Sequence, residues 1–470
     1  MTPGRLLLPA LRAAPDGTFD HEQAAIAALL EHGAGGVILF GGSRTTVRAL
    51  VAELQQRAGR ALLVASDLER GAGQQVQGLT ELPPPGALAA LDDPAAVRAA
   101  GSLTGAEARA VGINWVFAPV ADLDLLAANP IVQSRAFGAD PARAAALAHQ
   151  WILGCERAGA LACAKHFPGH GRTALDSHEV LPTVDVPLAE LLATDLAPFR
   201  EAADAGVASM MTAHVAFPRW DPSGVPATRS APMLQWLRRE LGYDGLLVSD
   251  AMNMAGARDG RPEGEAEVDA LAAGVDLLLY PTDMPAILAA IDRAMASGRL
   301  SRQRVDEALR RYQRALARAG RSPLAPPPDA SALADELADR VLAATWPAAL
   351  PALRWPLEVT VVDDDVGGPF APNDPGALAA GLAQAGVPLG TGGSRVLAVF
   401  AEPRAWKGRA GLGPAAHAAL AAAGPVDLVV LFGHPRLSAE LGTAAPVLVA
   451  WHRQRLMQRA VARRLAASRG

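Results

Sequence analysis

Short, continuously apolar runs recur along the first 280 residues, with helical periodicity between them. Because the runs do not alternate with polar residues, they are typical of parallel strands buried on both faces. Eight strands that alternate with helices predict a (β/α)8 TIM barrel, whereas the rival doubly wound sheet usually has fewer strands. The predicted strands are Leu6–Pro9, Gly36–Phe40, Ala61–Ser66, Asn114–Ala118, Leu161–Ala164, Ala208–Thr212, Gly245–Ser249 and Val275–Tyr280.

A proline-rich, aperiodic stretch, Arg321–Ala330, separates this region from a second one. Such composition is typical of a linker. We predict a barrel over 1–320, a linker over 321–334 and a smaller α/β layered domain over 335–470. The strands predicted for the smaller domain are Glu358–Val362, Arg395–Phe400, Val426–Phe432 and Val447–Ala450, and a basic helix, Gln454–Ala467, ends the chain.

Composition narrows the class of protein. Half of the 470 residues are hydrophobic, so a large core can be buried, and a net charge of -5 argues against nucleic acid or an anionic membrane as partner. The two cysteines imply no disulfide framework. The apolar run before Pro9 is too short for a signal-peptide core. These features predict a cytoplasmic protein, either a monomer or a homodimer, without a membrane partner.

Polar side chains follow the ends of the predicted barrel strands. In a barrel the carboxyl ends of the strands meet at one face, where active sites lie. The clustering therefore indicates an enzyme with its site at that face. The residues concerned are Asp67, Asp122, Lys165, His166, His214 and Asp250, after strands three to seven.

The loop from Lys165 to His178 gathers an unusual number of titratable side chains. Asp176 and His178 are two residues apart, so in an extended segment their side chains point the same way. An aspartate beside an imidazole orients it and stabilises its charged form, which suits a general acid or base near neutral pH. Without further context, a turn cap at Asp176 and a surface His178 are the simpler interpretation.

A metal site at His166, His170 and His178 is disfavoured. The H-x3-H spacing suits zinc on a helix, but Pro168 and Gly171 forbid a regular helix here. The chain also lacks a Walker A motif and a convincing dinucleotide fingerprint. We therefore expect neither a metal nor a cofactor.

Asp250 ends an apolar strand and is the strongest candidate nucleophile. A carboxylate at a barrel rim can attack a sugar's anomeric carbon and form an ester with it. A helix N-cap explains an aspartate at this position equally well. Lys165 and Arg135 are candidates to bind hydroxyls or carboxylates, against the alternatives of an internal ion pair and a surface arginine.

Lys165–Gly171 with Asp176-Ser177-His178 resembles the K-H-F-P-G-H-G…D-S-H signature of the β-N-acetylhexosaminidases of glycoside hydrolase family 3. The resemblance covers the whole barrel and, less specifically, the second domain. Further segments agree in the same order: Gly35–Phe40, Asp67–Gly71, Phe117–Asp122, Arg135–Gly138, Met211–His214 and Val248–Asp250.

The resemblance implies a retaining double displacement with Asp250 as the nucleophile. His178, paired with Asp176, then protonates the leaving oxygen and activates water. The implied substrate is a small carbohydrate, a terminal β-linked N-acetylglucosaminide such as a peptidoglycan fragment released during wall recycling. The implied substrate-binding residues are Asp67, Arg135, Lys165, His166 and His214.

One segment departs from the family pattern. Gly71–Gly78 stands where many relatives have an arginine-bearing G-G-R-V-Q-R run, so Gln74 or Gln75 is the candidate to replace an arginine contact. The fine sugar preference is therefore open.

Three other functions remain open. A phosphorylase of the same fold is one, because an imidazole acid/base does not repel phosphate. A β-glucosidase is another, with an acid from the second domain such as Glu402. A catalytically inactive sugar-binding protein is the third, although the joint presence of Asp250, Asp176 and His178 argues against it.

Overall fold

Two parallel sheets form the framework of the computed structural model, which describes residues 2–258, 260–323, 325–327, 329–346, 352–368 and 374–468. The first sheet has nine strands in the order β1-β9-β8-β7-β6-β5-β4-β3-β2. These strands are β1 (Leu7–Leu8), β2 (Ala10–Arg12), β3 (Gly36–Phe40), β4 (Leu63–Ser66), β5 (Trp115–Val116), β6 (Leu161–Phe167), β7 (Ser209–Thr212), β8 (Leu246–Ala251) and β9 (Leu277–Leu279).

From β2 onwards, helices connect successive strands and surround this sheet, as the alternating sequence pattern predicts. Within the described ranges, no helix is both long enough and apolar enough to cross a membrane. The helices are α1 (Gln23–Glu31), α2 (Arg44–Ala58), α3 (Pro85–Ala89), α4 (Pro94–Ala110), α5 (Pro141–Arg157), α6 (Leu188–Ala193), α7 (Ala197–Asp204), α8 (Ala231–Arg239), α9 (Ala255–Arg258), α10 (Glu265–Ala273), α11 (Met284–Ala296) and α12 (Arg302–Ala319).

The first predicted strand, Leu6–Pro9, is observed as β1, and a further short strand that was not predicted, β2, follows directly after Pro9. A proline has no N–H to donate to a neighbouring strand, so the ladder is interrupted there. β1 pairs with β9 and β2 pairs with β3, both in parallel. β1 and β2 thus lie at opposite ends of the sheet order and are joined through Pro9, which closes the barrel. The predicted barrel is confirmed, with nine strand segments instead of eight.

The interior of the barrel is apolar and closely packed. The Trp115 and Phe117 rings meet edge to face with their centroids 4.8 Å apart. The Trp115 indole N–H donates to the Ser209 hydroxyl at 2.8 Å, so the buried donor is satisfied. β8 is buried up to its last two residues, Asp250 and Ala251, which are only partly buried.

The second sheet has four parallel strands in the order β10-β11-β12-β13. It confirms the predicted α/β layered fold. α13 begins at Ala330, inside the stretch predicted as linker, so the exact domain boundaries stay a prediction. The elements are α13 (Ala330–Ala344), β10 (Glu358–Asp363), α14 (Gly376–Gln384), β11 (Arg395–Ala401), α15 (Pro414–Ala423), β12 (Leu428–Gly433), β13 (Val447–Val449) and α16 (Arg455–Ala467).

The carboxyl edge of the second sheet faces the carboxyl face of the barrel. After β13, the Gln454 amide donates to the Leu82 carbonyl at 2.6 Å. After β12, the Arg436 guanidinium donates to the Asp124 carboxylate at 2.6 Å. Because both contacts come from residues that follow strands, the groups at this edge lie over the mouth of the barrel.

Arg453→Met is expected to lower the free energy of unfolding by about 3 to 5 kcal/mol. Arg453 is fully buried and donates to Asp363 and Asp365 at 2.7 Å each, so its loss leaves buried carboxylates with less compensation. Denaturant unfolding followed by circular dichroism measures the change. Arg463→Met is the matched control, because Arg463 pairs with two aspartates at the surface and its loss is expected to cost less than about 1 kcal/mol. Equal effects of the two variants would contradict this assignment.

Candidate active site

A cavity of about 710 Å³ lies at the carboxyl face of the barrel. Its position is where barrel enzymes hold their sites, and its volume is within the usual range for a small-molecule pocket. Most of the predicted site residues line it. They are Asp67, Arg135, Lys165, His166, His178 and Asp250.

Four charged side chains form a compact network on one wall of the cavity. The Lys165 ammonium lies 2.6 Å from an Asp67 oxygen and 2.7 Å from a Glu69 oxygen. The Arg135 guanidinium binds both oxygens of Glu69, at 2.7 and 2.8 Å. Lys165 and Glu69 are buried, whereas Asp67 and Arg135 are about a quarter exposed and reach the cavity.

The charges of this network stabilise one another. Burial opposes ionisation of Glu69, but Arg135 and Lys165 outweigh it and hold the pKa of Glu69 well below its usual range. Burial also opposes a charged Lys165, yet Asp67 and Glu69 raise the pKa of Lys165 above its ordinary value. Two cations and two anions are therefore fixed in place, with Asp67 and Arg135 presenting polar atoms to a ligand.

His166 is oriented by a buried carboxylate, Asp122. Its Nδ1 lies 2.7 Å from Asp122, whose other oxygen accepts from the His166 backbone N–H at 3.1 Å and from the His170 N–H at 2.7 Å. The Nδ1–H therefore donates to the carboxylate, and the other ring nitrogen, Nε2, faces Asp250 at 3.9 Å. This contact places an imidazole edge beside the candidate nucleophile.

Asp250 lies near the end of β8, with one oxygen accepting from the Ala251 backbone N–H at 2.7 Å. Burial disfavours its charge, but the imidazoles of His166 and His214 outweigh that effect and lower the pKa of Asp250 to about 2. The side chain is 21% exposed. Asp250 is thus an ionised carboxylate that is open to the cavity.

His178 and Asp176 form the predicted pair. The His178 Nδ1 lies 2.7 Å from an Asp176 oxygen, which also accepts from the His178 backbone N–H at 2.9 Å. The hydrogen bond to Asp176 raises the pKa of His178 above its ordinary value. Asp176 is buried, whereas the His178 side chain is 55% exposed and lines the cavity.

The loop that carries this pair is anchored at both ends. The His170 imidazole contacts the Ser177 hydroxyl at 2.9 Å and the Thr173 hydroxyl at 3.0 Å. Burial lowers the pKa of His170 to about 4, so the ring is neutral and acts as a structural hydrogen-bonding group. The Gly256 N–H donates to the Ser177 carbonyl at 3.1 Å, which ties the loop to α9.

His214, predicted to bind substrate, is fully buried and does not line the cavity. Its Nε2 donates to the Ala251 carbonyl at 3.1 Å, and its Nδ1 lies 2.8 Å from the Thr228 hydroxyl. Burial lowers the pKa of His214. The structure therefore places His214 behind β8, where it positions the backbone next to Asp250.

The second domain completes the cavity with Glu402, Arg404 and His452. The Glu402 carboxylate lies 2.9 Å from both the His452 imidazole and the Arg404 guanidinium. Burial opposes ionisation of Glu402, but His452 and nearby arginines outweigh it and hold the pKa of Glu402 well below its usual range. These residues follow β11 and β13, at the sheet edge that faces the barrel.

Several residues of the site were given no role from the sequence. Glu69 belongs to the segment Asp67–Gly71 that matches the family, and Asp122 follows a predicted strand. Both positions could therefore have indicated a contribution to the site. His452 carried no signal in the sequence. Among the residues that the structure describes, no group of three or more His, Cys, Asp or Glu side chains is arranged to hold a metal ion.

Asp176→Ala is expected to lower the pKa of the His178 imidazole, because it removes the hydrogen bond and the charge that raise it. The wild-type ring then keeps its proton to higher pH than the variant's ring does. NMR titration of the histidine ring protons measures both values, with His178→Gln identifying the resonance. Asp185→Ala, which removes an exposed carboxylate of the same loop, is the control and should leave the titration unchanged. An unaltered His178 titration in Asp176→Ala would contradict the pairing.

Comparison with known proteins connects this geometry to a family. Residues 7–315 match the glycosyl hydrolase family 3 N terminal domain, a range that runs from β1 into α12. A beta-N-acetylglucosaminidase/beta-glucosidase from Cellulomonas fimi is 34% identical over 287 residues, which are 59% of this chain and 51% of that protein. The chain thus spans about half the length of this relative.

Two further relatives agree. A beta-hexosaminidase from Alkalilimnicola ehrlichii is 40% identical over 268 residues, 54% of this chain and 76% of that protein. The solved structure of a glycoside hydrolase family 3 beta-N-acetylglucosaminidase from Paenibacillus sp. str. FPU-7 superposes with a TM-score of 0.85 at 27% identity, covering 99% of this chain and 96% of that one. The chain therefore belongs to glycosyl hydrolase family 3 and is a glycoside hydrolase.

Proposed function

We propose that the protein is a retaining β-N-acetylglucosaminidase, which removes a terminal β-linked N-acetylglucosamine through an ester on Asp250. The names of the relatives support the choice of sugar. The proposed mechanism rests on one observation, namely which carboxylates around the cavity are paired with a cation and which one is not.

Four carboxylates line the described part of the cavity: Asp67, Glu69, Asp250 and Glu402. Asp67, Glu69 and Glu402 each form an ion pair with a lysine or an arginine. Asp250 instead accepts from a backbone N–H and faces an imidazole at 3.9 Å. It is therefore the carboxylate whose oxygen is both ionised and available to attack an anomeric carbon.

The second group of a retaining glycosidase must give and then take a proton. The other carboxylates of the cavity are held by cations, so this role falls to His178. Its raised pKa keeps the imidazolium populated towards neutral pH, where a general acid is most effective. Asp176 stays ionised, because its hydrogen bonds with His178 outweigh burial and lower the pKa of Asp176.

In the first step, an Asp250 oxygen bonds to the anomeric carbon as the glycosidic C–O bond breaks. The leaving oxygen takes the proton from the His178 imidazolium. In the second step, neutral His178 accepts a proton from water while the water oxygen bonds to the anomeric carbon. The ester bond breaks, and its electron pair returns to Asp250.

Sugar binding falls to the charged wall beside the nucleophile. Asp67 and Arg135 reach the cavity, and an acceptor and a donor that belong to one charged network suit hydroxyls of a sugar ring. Lys165 holds both carboxylates of the network, and His166 presents its ring next to Asp250. These four residues form the substrate-binding set of the proposal.

The three alternative functions are supported to different degrees. A β-glucosidase that uses Glu402 as its acid is disfavoured, because His452 and Arg404 already hold the Glu402 carboxylate at 2.9 Å each and keep its pKa below the usual range. An inactive sugar-binding protein is disfavoured by the ionised Asp250 facing the same cavity as His178. Phosphorolysis uses the same first step, and the product, a sugar 1-phosphate in place of the free sugar, separates it from hydrolysis.

Three predictions from the sequence extend the proposal: a peptidoglycan fragment as substrate, a cytoplasmic location, and a monomer or homodimer. Release of N-acetylglucosamine from purified wall fragments tests the first of them. The proposed barrel, linker and second-domain boundaries belong to the same set.

Asp250→Ala is expected to reduce kcat/KM for a chromogenic β-N-acetylglucosaminide by roughly a thousandfold or more, because the variant lacks the nucleophile. The wild type should prefer this substrate to the matching β-glucoside. Initial-rate assays measure both effects, with Asp185→Ala as a control that keeps wild-type rates. Undiminished turnover by Asp250→Ala would exclude it as nucleophile, and equal rates on the two sugars would refute the sugar preference.

The first product released is expected to be the β-anomer, because two displacements at one carbon restore its configuration. Proton NMR during early turnover distinguishes the anomers before they equilibrate. Initial appearance of the α-anomer would mean a single displacement by water and would remove the covalent step from the proposal.

A further inference from the structure

We propose that Tyr280, Arg12 and Phe40 form a platform on which a ring of the leaving group stacks, and that this ring is a second pyranose. The inference deepens the proposed function and rests on it, because it assigns the leaving group of the same reaction. Its basis is the arrangement of three flat side chains next to the proposed nucleophile.

The three side chains of the platform follow neighbouring strands of the barrel. Arg12 is the last residue of β2 and pairs in the sheet with Phe40, the last residue of β3. Tyr280 follows β9 directly, and its backbone N–H donates to the Leu8 carbonyl of β1 at 2.9 Å. All three platform residues are half-buried and line the cavity, so one continuous arc of the rim carries flat groups.

The flat groups contact one another. The Arg12 guanidinium carbon lies 4.4 Å from the centroid of the Phe40 ring, and the Arg12 Nη2 donates to the Tyr280 hydroxyl at 3.4 Å. The Phe40 and Tyr280 rings have centroids 6.1 Å apart and an interplanar angle of 49°. The guanidinium stacked on Phe40 and the Tyr280 ring therefore belong to one connected surface.

The strand register places Tyr280 beside the proposed nucleophile. Leu279 of β9 pairs with Ala251 of β8. The Leu279 carbonyl also accepts from the Met252 N–H at 2.9 Å. Since Tyr280 and Asp250 are the chain neighbours of this pair, they lie on adjacent strands at the same rim of the barrel.

The direction of the leaving group follows from the two sides of the cavity. Asp67, Arg135 and Lys165 come from the ends of β4 and β6 and from the segment between β5 and β6. A sugar whose hydroxyls meet this network and whose anomeric carbon meets Asp250 points its glycosidic bond away from the network. Beyond β8 in the strand order come β9 and β1, which β2 and β3 continue past Pro9. The leaving group is therefore directed towards the platform.

Tyr280 adopts a backbone conformation that favours glycine. Its φ is +61°, in the left-handed region, where a Cβ comes too close to the following carbonyl oxygen. A glycine adopts this conformation without that strain. Because backbone strain of this kind is concentrated at ligand-binding and active sites, the conformation favours a function for the Tyr280 ring.

A pyranose matches the chemistry of this part of the cavity. Ile38 and Leu279 line it together with the platform, so apolar surface is available. The C–H groups on one face of a pyranose cover such surface and meet the negative face of an aromatic ring. Its hydroxyls, at the edge of the ring, reach the Arg12 donors and the Tyr280 hydroxyl.

The test compares two substrates that both leave as unactivated alcohols: the β-linked disaccharide of two N-acetylglucosamines, and methyl β-N-acetylglucosaminide. The ratio of kcat/KM for the disaccharide to the methyl glycoside isolates the second ring and cancels general damage to the enzyme. This ratio is expected to fall about threefold to tenfold in Tyr280→Ala, because the stacking surface is lost. Tyr280→Phe keeps the aromatic ring and is expected to keep most of the ratio.

Arg12→Gln removes the guanidinium from the platform and is expected to lower the same ratio. Arg98→Gln is the matched control and keeps the wild-type ratio, because Arg98 is bound to Gln150 away from the cavity. If Tyr280→Ala instead lowers kcat/KM for both substrates by the same factor, the platform contacts the reacting sugar and the inference is overturned.

Binding without turnover is the second arm of the test. Calorimetric titration with the disaccharide compares Asp250→Ala with the double variant Asp250→Ala/Tyr280→Ala, and the double variant is expected to bind more weakly. Equal affinities would contradict the platform.

The outcomes separate this inference from the proposed function. If the wild type hydrolyses the methyl glycoside, but neither the substrate ratio nor disaccharide binding depends on Tyr280, the platform is refuted and the glycosidase stands. If the wild type turns over neither substrate, but disaccharide binding depends on Tyr280, the platform stands and the proposed function fails. Absence of both turnover and disaccharide binding refutes both.

Discussion

A buried ammonium ion needs negative charge around it, and this requirement organises the mouth of the barrel. Lys165 meets it by contacting Asp67 and Glu69, and Glu69 in turn binds Arg135. The network connects the ends of β4 and β6 with the segment that carries Arg135. Because Lys165 and Arg135 pair with Asp67 and Glu69, Asp250 has no lysine or arginine partner among the described residues, and its carboxylate stays open to the cavity.

Much of this arrangement could be predicted from local patterns. Continuous apolar runs predicted the barrel, and residues that follow parallel strands meet at one face, so Asp250 and the Asp176–His178 loop were expected together. The strand β2 was missed, because the apolar run before Pro9 does not reveal that the residues after Pro9 pair with a different strand. His214 also follows a strand, but that position alone does not fix whether a side chain enters the cavity or packs behind β8.

The side chains that the second domain contributes to the cavity could not be predicted from such local patterns. Its strands were predicted correctly, yet the edge that it turns towards the barrel depends on contacts between residues far apart in sequence, such as Gln454 with Leu82. Glu402 and His452 reach the cavity only through that docking. Nothing in the sequence around Glu402 indicates that its carboxylate pairs with the His452 imidazole at 2.9 Å, because His452 follows a different strand.

The segment after β4 has a consequence for how such proteins can diverge. It starts with Asp67 in the cavity, continues through Gln75, and ends beneath the second domain, where a Cβ on Gly86 would lie 2.9 Å from the Trp451 ring. The segment from Asp67 to Gly86 therefore has to fit both the cavity of the barrel and the second domain. If relatives exchanged their second domains, the segment from Asp67 to Gly86 would have to be exchanged as well. The second domain and this segment of the barrel are therefore expected to evolve together.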